Sequence, residues 1–256
     1  MEDRNAEPCE LYVEAVLDAL TNVGDWIAID SWLGGGKLHD TSSDAGIDPQ
    51  THAAFRAVSS VVAMAVELAD TAFQASRRDR CYAVAAITRQ LIECEYLLVL
   101  FEEDLEEARV WLSSSPEEIR KSFAPAKMRK RLKRFSNDEY WRHCSIGGHP
   151  APKGIHLLER SDPRRSVWPV MRVEVAMDLG LHIRRIWVAI DSVLAKHHVR
   201  YARVRAAQRR SAEDAWKQWV NNDELVATFT GLPREEPNEP EDDDVVDALR
   251  AATKDS

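Results

Sequence analysis

Residues 84–112, VAAITRQLIECEYLLVLFEEDLEEARVWL, decide the fold of this 256-residue chain. Their apolar residues recur at alternating spacings of three and four, which is the pattern of one helix face. That face consists of Val84, Ile87, Leu91, Cys94, Leu98, Phe101, Leu105, Ala108 and Leu112. Tyr96, Val99 and Leu100 lie off the face, so the middle of the helix is apolar nearly all round. Such a helix is typical of the centre of a helical bundle.

Three further segments carry helical periodicity. Apolar spacing predicts helices over Leu11–Ile29, over Ala53–Ser76 and from about Val170 past Val204. A shorter amphipathic piece, Trp216–Phe229, continues the last helix or folds back on it. We therefore predict an all-α fold, a bundle of about five to seven helices with two or three long central ones.

The chain divides into one large domain and two flanking segments. Residues 1–50 hold the first helix and a loop rich in Gly, Ser and Asp, and residues 51–232 hold the helical bundle. Residues 233–256 form an acidic tail. Nine of its last 23 residues are acidic, against three Lys and Arg, and they supply most of the net charge of −9. The tail has too few apolar residues for a core, so we predict that it is disordered.

Composition favours a cytoplasmic protein. The N-terminus lacks the positively charged start and apolar run of a secretory signal. No uninterrupted apolar run approaches the roughly 20 residues that cross a bilayer. The four cysteines are widely spaced, without the density of a disulfide framework. We expect free thiols and no membrane contact.

One pair of opposite charges interrupts the apolar central helix. Arg89 and Glu93 lie four residues apart, so they share a helix face and can form an ion pair. That face also carries Tyr96 and Leu100, so the pair is expected to be partly buried, where charges need partners. The pair is either a structural clamp between helices or one wall of a cleft that faces residues 142–149.

Arg142 and His149 stand seven residues apart, at a short predicted helix and the glycine-rich loop after it. An arginine followed by a polar residue and, after four to six intervening residues, by a histidine resembles the signature of the HEPN superfamily. This superfamily comprises helical ribonucleases and nucleotide-binding domains. The residues Arg89 to Glu93 on a long helix extend the resemblance, which covers about Ala53 to Tyr201.

The resemblance implies an endoribonuclease that works without a metal. Histidine is the side chain that transfers protons near neutral pH, and arginine binds phosphate through two parallel hydrogen bonds. His149 would move the proton, Arg142 would hold the scissile phosphate and His143 would assist. The resemblance also implies a homodimer in which two such motifs share a cleft.

We expect no metal and no cofactor. Four residues near the motif carry possible metal-binding groups: His143, Cys144, His149 and His156. Their spacing matches no standard zinc finger and no pair of ligands on one helix.

Two basic runs suggest RNA as a partner. Nine Lys and Arg lie between Arg120 and Arg142 against two acids, and six lie between Lys196 and Arg210 with no acid. Such runs can follow a phosphate backbone, although charge runs often mark only a solvated helix face. The predicted nucleic-acid contacts are Lys127, Arg129, Lys130, Arg131, Lys133 and Arg134.

The leading hypothesis is therefore a metal-independent endoribonuclease of HEPN type, acting as a toxin or defence effector and paired with an antitoxin or another protein partner. The alternative is a catalytically inactive helical module that binds a protein or a nucleic acid. In that alternative Arg142 and His149 merely end a helix.

Overall fold

The computed structural model describes residues 6–32, 49–133, 135–158, 168–197 and 202–230, and all regular elements within these ranges are helical. The all-α class predicted from the sequence is confirmed. In chain order the α-helices are α1 (Ala6–Trp32), α2 (Pro49–Arg77), α3 (Cys81–Glu103), α4 (Leu105–Ser113), α5 (Pro116–Glu118), α6 (Pro125–Arg131), α7 (Asn137–His143), α8 (Trp168–His197), α9 (Ala202–Asn222) and α10 (Glu224–Thr230). Two π-helical turns follow α5 and α7, at Ile119–Phe123 and Cys144–Gly148, and a 3₁₀ helix spans Pro152–Leu157.

Three predictions fall outside the described residues. They concern the glycine-rich loop after α1, the acidic tail over residues 233–256, and the phosphate contact assigned to Arg134.

Helix α3 lies at the centre of the bundle, as its all-round apolar middle predicts. It packs between α2 and α8, and Leu91, Leu98 and Phe101 are fully buried there. Helix α1 packs on α2, α8 and α9 and contributes to the same continuous core, in which Tyr12 meets Trp219. The first helix is therefore part of the bundle and does not form a separate layer.

The central helix is broken at one residue where the sequence predicts continuity. Asp104 has extended backbone angles (φ −147°, ψ 109°) and ends α3. Its side chain accepts a hydrogen bond from the backbone N–H of Glu106 and so caps the start of α4. Glu106 and Glu107 then occupy the first turn, where the helix dipole favours acids. The prediction of one uninterrupted helix over residues 84–112 is wrong because the apolar pattern does not record this cap.

The segment predicted as one long helix, from about Val170 past Val204, holds two helices. Helix α8 spans Trp168–His197, α9 spans Ala202–Asn222 and packs chiefly on α1, and residues 198–201 lie outside the described ranges. Gly180 of α8 lies against the ring of Trp219, so close that a Cβ on Gly180 would stand 2.5 Å from a ring carbon. The segment predicted to continue the last helix or to fold back on it, Trp216–Phe229, covers the end of α9 and most of α10.

Helix α2 is long and apolar enough over residues 50–77 to cross a membrane by length and composition alone. Half of its most apolar stretch is buried inside the bundle, which is also the property of a core helix in a soluble protein. It is the one such helix within the described ranges, and it is weak evidence for a membrane span.

Candidate active site

A cavity of about 270 Å³ opens beside α3, between α7 and α8. Leu157, Val175 and Leu181 form part of an apolar wall. Seven charged or titratable side chains also line it: Glu139, Arg142, His143, Glu174, Asp178, His182 and Arg185. A concave site with a few converging polar groups is the usual form of a binding or catalytic site.

Helix α7 supplies Glu139 and His143, and its local sequence fixes both. Ser136 caps the helix by accepting hydrogen bonds from the backbone N–H groups of Asp138 and Glu139. Glu139 and His143 are four residues apart, so they project from one face toward the cavity.

The π-helical turn after α7 packs against α3 without side chains in between. A Cβ on Gly147 would lie 2.5 Å from the carbonyl carbon of Ala85 and 2.6 Å from the nitrogen of Ala86. Because both atoms belong to the main chain of α3, only glycine allows this approach. Gly147 and Gly148 therefore serve close helix packing and do not form the loop that their sequence predicts.

Helix α8 repeats the arrangement of α7 on the opposite wall. Asp178 and His182 are four residues apart and share the face that looks across the cavity. His182 is 2% exposed and Asp178 is about one-third exposed, so the carboxylate lies closer to the opening.

Three of these groups and one further carboxylate, that of Glu95, form a continuous chain of contacts that begins inside the core. The carboxylate of Glu95, a buried residue of α3, lies 2.8 Å from Nδ1 of His182. Nε2 of His182 is 3.3 Å from Nε2 of His143, and Nδ1 of His143 is 3.4 Å from an oxygen of Asp178. Each imidazole thus has a carboxylate at Nδ1, and the two Nε2 atoms face each other.

The environment shifts the pKa values of the two histidines in opposite directions. Burial lowers the pKa of His143 to about 4, although Asp178 attracts a proton to it. Burial also opposes the charged form of His182, but the hydrogen bond and charge of Glu95 prevail and raise its pKa above the ordinary value. The surroundings thus favour the protonated form of His182 and the neutral form of His143.

Two arginines stand at the opening. Arg142 has a side chain that is 55% exposed, and its Nη2 lies 3.6 Å from Asp178. Arg185 forms an ion pair with Glu139 and lies 3.8 Å from the second oxygen of Glu95. Burial alone would raise the pKa of Glu139, but Arg185 and the two histidines lower it below its usual range.

The residues of the Arg142 to His149 motif are divided by the fold. Arg142 and His143 line the cavity. His149 follows the π-helical turn, has an exposed side chain and is not among the residues that line the cavity. The structure thus brings Arg142 and His143 together with a second histidine, and it leaves His149 outside.

The Arg89 and Glu93 pair is formed, with 2.8 Å between Nη1 and the carboxylate. Arg89 also donates a hydrogen bond of 2.7 Å to the hydroxyl of Tyr140, and its side chain lies directly against Gly148. The pair does not line the cavity. The Arg89 and Glu93 pair joins α3 to α7 and to the turn that follows α7. Of the two alternatives drawn from the sequence, this corresponds to the structural clamp between helices.

The basic residues of α6 have different surroundings. Lys127, Lys130, Arg131 and Lys133 are exposed, and Arg131 forms an ion pair with Glu107. Arg129 is only 7% exposed and stacks on the ring of Tyr140 at 3.8 Å. Arg129 is therefore a core residue, and it is not available on the surface for the phosphate contact predicted from the sequence.

Among the described residues, a possible metal-binding group appears that the sequence did not suggest. One ligand atom each from Glu139, His143 and His182 lie within 4.8 Å of one another. Of the four residues considered from the sequence, His143 alone belongs to this group. Cys144 is buried and His149 and His156 are exposed.

Sequence reasoning missed the residues that complete the site, namely Glu95, Glu139, Asp178, His182 and Arg185. A local signal exists in two copies, because an acid precedes a histidine by four residues on both α7 and α8. This spacing puts two ligand-type side chains on one helix face. On α8 this spacing is easily overlooked, because His182 lies beside a regular stripe of apolar residues and that stripe is sufficient to predict the helix.

Comparison with known proteins adds no relative to this description: no protein-family model, no curated protein and no solved structure matches the chain.

Proposed function

We propose that the protein is an endoribonuclease of HEPN type and that the cavity between α7 and α8 is its active site. One observation carries the proposal: Arg142 and His143, adjacent in the motif, enter a cavity that also holds His182 and Asp178. A cation and titratable imidazoles in one cavity are the groups that phosphodiester cleavage requires.

Each group has a role in cleavage. Arg142, exposed at the opening, binds the scissile phosphate. The histidine pair is the centre at which the 2′-hydroxyl of the substrate loses its proton as it attacks phosphorus. The bond to the 5′-oxygen breaks, and that oxygen receives a proton. The role that the motif assigns to His149 passes to His143 because His149 lies outside the cavity.

The protein also carries exposed lysines that could contact a polyanion. Lys127, Lys130 and Lys133 are exposed on and just after α6, which also packs on α3. These side chains would contact the RNA backbone in a salt-dependent manner. The proposal includes a homodimer, and a role as a toxin or defence effector that is held in check by an antitoxin.

The test is cleavage of a fluorescently labelled single-stranded RNA by the full-length protein, with divalent cations present in the buffer. Arg142→Ala and His143→Ala should each lose at least about 100-fold in rate, the usual contribution of a proton-transfer group or a phosphate contact. His149→Ala and His197→Ala should keep the wild-type rate, since both side chains are exposed away from the cavity.

Three results would overturn the proposal. If the wild-type protein does not cleave RNA, the inactive binding module is favoured. The same holds if all four variants cleave RNA at the wild-type rate. Loss of activity in His149→Ala alone would mean that the cavity is not the active site.

A further inference from the structure

We propose that Glu139, His143 and His182 bind a divalent transition-metal ion, with Zn²⁺ the best match to the ligands. The inference concerns a metal site, and it stands whether or not the substrate is RNA.

The first support is the distance between the imidazoles. Zn²⁺ binds histidine nitrogen at about 2.0 to 2.1 Å with tetrahedral angles, so two such nitrogens are separated by about 3.3 to 3.4 Å. The two Nε2 atoms are 3.3 Å apart. The third ligand atom, from Glu139, lies within 4.8 Å of both, so a small movement of this partly exposed side chain would complete the set.

The second support is the orientation of the rings. Histidines that bind metals usually donate Nδ1–H to a carboxylate or carbonyl, which turns the lone pair of Nε2 toward the metal. Glu95 occupies this position for His182, and Asp178 occupies it for His143. With both Nδ1 atoms acting as donors, two Nε2 lone pairs converge on one point, and only a shared proton or a metal ion can hold them there.

The third support is the balance of charge. Glu95, Glu139 and Asp178 surround the histidine pair, and two exposed arginines, Arg142 and Arg185, oppose them. The Oε1 atom of Glu95 makes no hydrogen bond within the described residues and lies 3.8 Å from Arg185. A dication between the rings would compensate this excess of carboxylates deep in the wall of the cavity.

A set of two histidines and one glutamate is typical of catalytic zinc, because the fourth position stays open for water. Here that position would face the cavity, next to Arg142. The ion would lower the pKa of a water bound in that position.

The experiment is calorimetric titration of ZnCl₂ into chelator-treated full-length protein, together with the visible spectrum of the Co²⁺ form. Wild-type protein should bind one ion. His143→Ala, His182→Ala and Glu139→Gln should each weaken binding by more than about 100-fold and lose the tetrahedral Co²⁺ absorption. Asp178→Asn, which alters the carboxylate at Nδ1 of His143 but none of the three proposed ligands, should weaken binding by about 10- to 100-fold.

His197→Ala is the matched control, since it removes an exposed histidine from the same helix as His182. Far-ultraviolet circular dichroism checks that each variant folds, and if His182→Ala does not, Glu139→Gln and His143→Ala still decide. The proposal fails if wild-type protein binds no ion stoichiometrically, if these variants bind as tightly as wild type, or if His197→Ala loses the ion. Because no RNA is present, the result is independent of the cleavage assay.

Discussion

Replacing Gly147 with alanine should destabilise the protein and weaken metal binding, because Gly147 sets the distance between the turn after α7 and α3. The added Cβ would stand 2.5 Å from the carbonyl carbon of Ala85 and 2.6 Å from the nitrogen of Ala86. Ordinary carbon contacts begin near 3.5 Å, so the turn must retreat by about 1 Å. The main chain of α3 cannot move instead, since α2 and α8 pack on both sides of it.

The magnitude follows from two opposing effects. Overpacking of this kind costs about 1 to 3 kcal/mol, whereas alanine in a helical conformation gains about 0.5 to 1 kcal/mol over glycine. The net loss should lower the melting temperature by several degrees, at about 2 to 4 °C per kcal/mol for a protein of this size. His143 lies four residues before Gly147 and should move with the turn. Because His143 is a proposed ligand, the affinity for Zn²⁺ should fall as well.

Differential scanning calorimetry and zinc titration measure the two effects. Ser145→Ala is the control in the same turn: it removes a hydrogen bond of 2.9 Å to the carbonyl of Arg142 without adding an atom, and should cost less than about 1 kcal/mol. A Gly147→Ala protein that melts and binds zinc like wild type would refute the close packing of this turn on α3.

Three further changes test the scaffold by urea unfolding. Glu95→Ala should cost about 3 to 5 kcal/mol, because it leaves His182 buried without its partner, and a cost below about 1 kcal/mol would contradict the buried pair. Gly180→Ala should cost about 1 to 3 kcal/mol because its Cβ would meet Trp219, and an unchanged midpoint would deny that contact. Asp104→Ala should cost about 0.5 to 2 kcal/mol through loss of the cap on α4, and no cost would mean that the cap is not formed.

The long helices could be predicted because each carries its own evidence. A stripe of apolar residues at helical spacing requires only the local sequence, and α2 follows it to within a few residues. The break at Asp104 could have been found from local chemistry, since an aspartate two residues before a pair of glutamates is a helix start. The apolar stripe concealed it by continuing in phase through the break.

The candidate site could be predicted only in part, because its contacts join distant residues. His182 is 87 residues from Glu95 and 39 from His143, and no local pattern records either approach. Arg142 and His143 could be found because they belong to a short motif. His149 was placed with them on spacing alone, but a π-helical turn directs the chain away from the cavity before it reaches that residue.

The closeness of that turn to α3 links the fold to the site. Gly147 lets the turn contact the backbone of α3, and this brings α7 close enough to α8 for His143 to contact His182. Nδ1 of His182 is in turn bound by Glu95 of α3. A larger residue at position 147 would lengthen the gap between the two Nε2 atoms while leaving both histidines in the sequence. Gly147, which the sequence assigns to a loop, thus helps to position the histidine pair. Substitution of Gly147 should therefore impair metal binding even though Gly147 itself offers no ligand.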